Sequence, residues 1–188
     1  MPRRATLPLL FAAALAALGG VAFNVTRPAA VPAPAPSASI ALPPVEVYFS
    51  PRGGATAAVV REISAAKTSV SVLAYSFTSK PIAEAIIAAH RRGVRVEVVL
   101  DESQRTERAQ ADELRAAGVP LWFDTKHAIM HNKVVVVDAA VVVTGSFNFS
   151  AAAESSNAEN LLVLRSPDLA ARYLENFRAL RDAAAVAA

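Results

Sequence analysis

His131 and Lys133 stand two positions apart, Asp138 follows after four intervening residues, and Gly145-Ser146-Phe147-Asn148 follows after six more. In extended chain, residues i and i+2 lie on one face, so His131 and Lys133 share a face, as do Ser146 and Asn148. Lysine is a compact cation suited to a phosphate oxygen. Serine and asparagine add directional donors. Histidine titrates near neutral pH and serves as nucleophile or as general acid. The set therefore points to chemistry on a phosphate ester. Carboxylates are too sparse in this segment for a two-metal phosphodiesterase centre. The chain has no cysteine, which excludes disulfides and thiolate metal sites, and no cofactor is implied.

Each of these residues also has a bland explanation. A lone histidine on a strand is ordinarily only packing or surface, and it is the full spacing that singles out His131. Ser146 could serve its turn alone, and Glu159 could be a solvated strand-edge charge. His127 reads as a loop histidine, with a place lining a substrate cleft as the alternative. Tyr75 and Phe77 alternate along a strand and read as core. His90, Arg91 and Arg92 read as a solvated helix end, where cations suit the dipole.

The elements that must position this set are legible as a strand–helix alternation over residues 45–188. Val45 to Phe49 alternates as a strand and stops at Ser50-Pro51. Ala57, Val60, Ile63 and Ala66 recur near helical spacing. Ser69 to Phe77 alternates again. Pro81 opens a helix that runs to Arg92 and ends at Gly93. Val94 to Leu100 is a strand, Gln104 to Ala117 a polar helix, and Val119 to Phe123 a strand. Lys133 to Val137 and Val141 to Thr144 are separated only by Asp138-Ala139-Ala140, too short for a crossover helix, so they should pair antiparallel. Asn160 to Leu164 is a last strand, and Ser166-Pro167-Asp168 opens a closing helix with Leu169, Tyr173, Phe177 and Leu180 on one face. The expectation is a single α/β domain with a mixed, mostly parallel β-sheet flanked by helices on both faces. The hairpin carries His131, Lys133, Ser146 and Asn148 to one end of that sheet, where α/β folds bind ligands.

The remaining residues carry no chemistry. Arg3 and Arg4 precede an uncharged run, Leu7 to Phe23, so residues 1–23 are expected to be an export signal, with a retained membrane anchor as the alternative. Residues 24–44 include Pro28, Pro32, Pro34, Pro36, Pro43 and Pro44 and should form an extended tether. The whole chain has 188 residues, 54% apolar and 19% charged, which excludes general disorder. Its net charge of +3 suggests an acidic partner, but residues 1–23 contain two arginines and no acid. Without them 17 basic residues face 16 acidic ones, leaving +1, so bulk charge is little guide to the partner.

The pattern HxKxxxxD followed by GSxN resembles the signature of the phospholipase D superfamily, here His131, Lys133, Asp138, Gly145, Ser146 and Asn148. Val45 to Pro51, Ala74 to Ser79, Ala152 to Glu154 and Asn157 to Asn160 extend the likeness to the small, single-motif bacterial Nuc-type endonucleases. The resemblance covers residues 45–185. It implies a metal-independent phosphodiesterase in which one histidine attacks phosphorus and a second histidine protonates the leaving oxygen. Because this chain holds one motif, it also implies a homodimer with a shared site. By the same resemblance Lys133 and Asn148 contact phosphate and Ser146 supports it. Glu159 would orient the catalytic histidine, while Asp138 and Gly145 hold the motif's shape. The implied substrate is nucleic acid, with a phospholipid head group as the alternative and a non-catalytic nucleic-acid or membrane-binding module as the remaining class. The implied place of action is outside the cytoplasm, periplasmic or secreted.

Overall fold

The computed structural model describes residues 45–105 and 109–186. The expected export segment and tether, residues 1–44, lie outside the described residues. Among those described, no helix is long and apolar enough to cross a membrane. The elements in order are β1 (Val45–Ser50), α1 (Ala55–Ala65), β2 (Ser69–Ala74), α2 (Lys80–Arg91) and β3 (Arg95–Asp101). A 3-10 turn (Glu102–Arg105), α3 (Ala109–Ala116), β4 (Leu121–Asp124), β5 (Lys133–Val137) and β6 (Val141–Gly145) follow. The chain continues through α4 (Ala151–Ser155), β7 (Glu159–Arg165), α5 (Pro167–Ala183) and β8 (Ala185–Val186).

The eight strands among the described residues form one sheet in the order β1-β7-β6-β5-β2-β3-β4-β8. The expected mixed sheet with helical cover is present, but its parallel share is smaller than "mostly parallel". Only β2–β3 and β3–β4 are parallel, and the other five neighbouring pairs run antiparallel. The reason is connection length. Crossover helices α2 and α3 return the chain to the same end of the sheet, whereas the β5–β6 hairpin and the short α4 link reverse it. The short elements α4 and β8 carry too little periodicity to be read from sequence. The expected 104–117 helix begins instead as the 3-10 turn.

Two apolar layers hold the sheet. Val70, Val72, Ala74, Val96, Val98, Val135 and Val143 face α1, α2 and α3, which contribute Val59, Ile63, Ile82, Ile86 and Leu114. On α2 the buried Ile82, Ala83, Ile86 and Ala89 recur at helical spacing, which fixes the face it presents. The opposite face, with Leu73, Val99, Val134, Val136, Val142 and Leu164, is covered by the single helix α5 through Ala170 and Phe177. One helix cannot span eight strands, and the β1 edge of that face stays bare: Val47 is 50% exposed and Phe49 66%.

Two local devices shape the hairpin that carries the motif. Asp138 and Ala139 both adopt φ of 52°, as the tightest hairpin turns require, in a sequence that lacks the usual glycine. Asp138 makes this tenable. Its carboxylate accepts the N–H groups of Lys67 (2.9 Å), Thr68 (2.7 Å) and Ser69 (3.0 Å) and the Thr68 hydroxyl (2.8 Å). Burial alone would raise its pKa, but these donors outweigh that and lower it. At the other end of β6, Gly145 has φ of 156°, and a Cβ there would meet the Asn160 carbonyl oxygen at 2.2 Å. Only glycine lets β7 approach this closely.

Candidate active site

The site grows from the end of the sheet where β2 and β5 run out. Ala74 pairs with Lys133, and the next N–H, that of Tyr75, donates to the Asn132 carbonyl at 2.9 Å. This one extra bond fixes the chain leaving β2 against the chain entering β5. It brings Tyr75, His131 and Lys133 together. The Tyr75 and His131 ring centroids lie 4.6 Å apart at a 59° tilt, and Lys133 Nζ sits 5.0 Å from the Tyr75 ring centroid. That is the geometry of a cation over an aromatic face. Tyr75, expected to be core, is half-buried and part of the site. Its signal was the strand register, which the sequence alone does not give.

Lys133 is 5% exposed, while His131 beside it is open to solvent. Lys133 Nζ donates to the His131 carbonyl at 3.0 Å and has no carboxylate in hydrogen-bonding contact among the described residues. Burial pushes its pKa down, and the negative charge of Glu159 pulls partly the other way. The ammonium is thus held desolvated and poorly compensated, a state that an incoming phosphate oxygen would relieve.

Glu159 begins β7 and acts on this cation through its charge. Its Oε1 accepts from Asn157 Nδ2 at 3.2 Å, and it makes no hydrogen bond to His131 within the single chain. Ser146 follows β6 rather than lying on it. Its hydroxyl accepts from the Asn160 backbone N–H (3.0 Å) and side-chain amide (3.3 Å), and so ties the motif turn to β7. Asn148, two residues on, is half-buried, and its Oδ1 is buried without a hydrogen-bond partner. Buried amide atoms are nearly always satisfied, and this one has no protein partner among the described residues. A half-turn of the amide would put an NH2 donor there, suited to a phosphate oxygen.

The loop into the site is pinned by two carboxylates that sequence reasoning passed over. Asp101 and Asp124 end the parallel neighbours β3 and β4 and pair across them. Asp101, 6% exposed, accepts the Met130 N–H at 2.7 Å, one residue before His131. Asp124, 1% exposed, accepts the Lys126 N–H at 2.9 Å and holds His127 Nδ1 at 2.7 Å. His127 is therefore a loop anchor with a half-exposed ring, and it makes no hydrogen bond to His131 or Lys133. The signal for both aspartates was their place at the carboxyl ends of adjacent parallel strands. Among the described residues, no group of three or more His, Asp or Glu side chains is disposed to hold a metal ion.

A family model described as "Cardiolipin synthase, PLD-like domain" matches residues 59–181, more than half of the chain. The chain belongs to the phospholipase D superfamily. Phosphodiester hydrolysis is the chemistry that membership brings. The chain is 37% identical over 134 residues to a "Phospholipase D" of Rickettsia typhi, an alignment that spans 71% of this chain and 66% of that protein. It is 35% identical over 120 residues to a "Mitochondrial cardiolipin hydrolase" of Xenopus laevis, spanning 63% of this chain and 57% of the relative. Among solved structures, Nuc from Salmonella typhimurium, a phospholipase D family member, superposes with a TM-score of 0.73 at 40% identity. That match covers 77% of this chain and 97% of Nuc.

Proposed function

We propose that this chain is an exported endonuclease that hydrolyses DNA, and RNA by the same chemistry, without a metal and through a phosphohistidine on His131. One observation carries the proposal: a buried lysine that no carboxylate neutralises by contact, beside an exposed imidazole at the open end of the sheet. Lys133 and Asn148 hold the phosphate. A ring nitrogen of His131 attacks phosphorus; the N–P bond forms as the P–O bond to the leaving group breaks. His131 of the partner subunit gives its proton to that leaving oxygen. The same imidazole then takes a proton from water, whose oxygen bonds to phosphorus as the N–P bond breaks. The phosphomonoester leaves and both rings return to their starting forms.

The likeness to Nuc over nearly its full length favours nucleic acid. The second copy is needed because the chain supplies a single histidine of the required pair. The bare strip at Val47 and Phe49 offers a face for it. Phe49 pairs with Asn160, whose amide contacts Ser146, so the strip ends at the site. Packing there would bring two sites together about a two-fold axis.

A phospholipid substrate is the second reading. It is favoured by the rickettsial relative's name and by Ile129, two residues before His131 and 55% exposed. The test is to incubate purified protein in excess chelator with plasmid DNA and, in parallel, with phosphatidylcholine vesicles. Nicked plasmid supports the nuclease. Choline release without nicking moves the substrate to lipid, and inactivity on both contradicts the proposal. Light scattering should give twice the subunit mass.

A further inference from the structure

Far from His131, at the opposite end of the sheet, a cavity of about 320 Å³ opens between β2, β3 and α5. Ser69 and Ser71 line it from β2, Arg95 and Glu97 from β3, and Arg178 and Arg181 from α5. Ser69 pairs at the far end of the β2–β3 ladder from Ala74, which stands beside Lys133. At about 3.3 Å per strand residue the two sites are roughly 16 Å apart.

The serines are the anomaly. β2 is buried along its whole length, and Leu73, on the same face as Ser69 and Ser71, packs against α5. An apolar residue would be expected at 71 as at 73. Instead Ser69 is 8% exposed and Ser71 6%. Neither hydroxyl has a hydrogen-bond partner among the described residues, and both residues line the cavity, so their hydroxyls are available to a ligand there.

The charges around it agree. Arg181 is fixed by Glu97 at 2.7 Å and by Asp182 at 2.7 Å. Arg95 and Arg178 make no ion pair among the described residues, and nothing that lines the cavity neutralises them. Three arginines against Glu97 leave the lining at +2. Two hydroxyl donors, two free planar guanidinium groups and an excess of two positive charges complement a tetrahedral dianion.

We infer that this cavity binds a phosphate dianion, either free phosphate or a terminal phosphomonoester, independently of the catalytic site. The site does not depend on His131 or on the identity of the substrate, so it stands or falls separately from the proposed nuclease activity.

Calorimetry on the full chain tests it. Lys133→Met silences the catalytic phosphate contact, so any remaining binding reports the second site. Inorganic phosphate and short-chain phosphatidic acid are titrated in separate arms, and the tighter one identifies the source. The expected result is saturable binding of one equivalent per chain to Lys133→Met by at least one probe. Adding Arg95→Ala and Arg178→Ala should weaken it about tenfold or more, with an unchanged thermal midpoint because both side chains are exposed. Absence of saturable binding by both probes, or equal affinity after the arginines are removed, would overturn the inference. Replacing Ser71 by alanine in the same background provides a second check, since its small side chain fits the strand; unchanged affinity there also counts against the site.

Discussion

Two clusters of cations sit on this sheet and are treated in opposite ways. Between β1, α1 and β7, Arg165 contacts Glu62 at 2.9 Å and Glu46 at 2.6 Å, and Arg61 contacts Glu62 at 2.7 Å and Glu46 at 2.6 Å. Glu62 is buried, and its hydrogen bond from Arg165, more than offsetting burial, holds its pKa below the usual carboxylate range. Both guanidinium groups are pushed up: Arg165 through its bond to Glu62, Arg61 through its bonds to Tyr48 and Glu62. Every charge there has a partner, and the cluster fastens the edge strand. At the other end of the sheet, Lys133 is buried where the two arginines are half-exposed, and it is pushed down. A fully paired cation stabilises the fold, whereas an underpaired one is free to bind something else.

Breaking each cluster should therefore have opposite readouts. Lys133→Met should lower kcat/KM by about 100- to 1,000-fold, the loss typical of removing one electrostatic stabiliser of a transition state. It should leave the thermal midpoint unchanged or higher, because a desolvated charge is gone. Arg165→Met should do the reverse. It leaves Glu62 with Arg61 alone and, discounted for the half-exposed arginine, should cost about 1–3 kcal/mol of stability. That corresponds to roughly 3–10 °C in Tm, with kcat/KM of the folded protein unchanged. Differential scanning calorimetry and initial rates on both variants decide whether the division holds.

Tyr75→Ala should cost about 3- to 30-fold in kcat/KM, the range of a cation–aromatic contact, and Tyr75→Phe should restore most of it because the ring rather than the hydroxyl makes the contacts. The pH profile refines the comparison further. On the proposed mechanism activity needs the protonated Lys133, whose pKa in the folded chain is lowered by burial. The rate should therefore fall on the alkaline side at a pH below the usual lysine range. The sign for stability is opposite: the fold disfavours the charged form, so Lys133's unfavourable contribution fades as pH rises through its folded pKa. Replacing Lys133 by arginine should move the alkaline limb upward, beyond the assay range.

The sequence carried much of this site because spacing survives without coordinates. His131 with Lys133, and Gly145 with Ser146 and Asn148, are short-range patterns. The β5–β6 hairpin followed from a gap too short for a helix. Other features depended on register. Tyr75 alternates like a core residue along β2 and became a site residue only through its N–H bond to Asn132. Asp101 and Asp124 looked like strand ends; the hold of Asp101 on Met130 is a contact across 29 residues, and that of Asp124 on His127 depends on how the loop turns after β4. The small parallel share of the sheet was hidden for the same reason. Strand order is set by which edges meet, and nothing local in Val45 to Ser50 marks it as the partner of β7.

The central claim is that His131 forms the covalent intermediate. It is tested by quenching the full chain within its first turnovers on a phosphodiester substrate, under alkaline conditions that preserve phosphohistidine, and mapping the phosphoryl group by mass spectrometry. The account predicts a phosphoryl group on the peptide containing His131, absent from His131→Ala, which should be at least about 1,000-fold less active with its fold intact. Turnover at normal rate by His131→Ala, or an adduct on any other side chain, would contradict it.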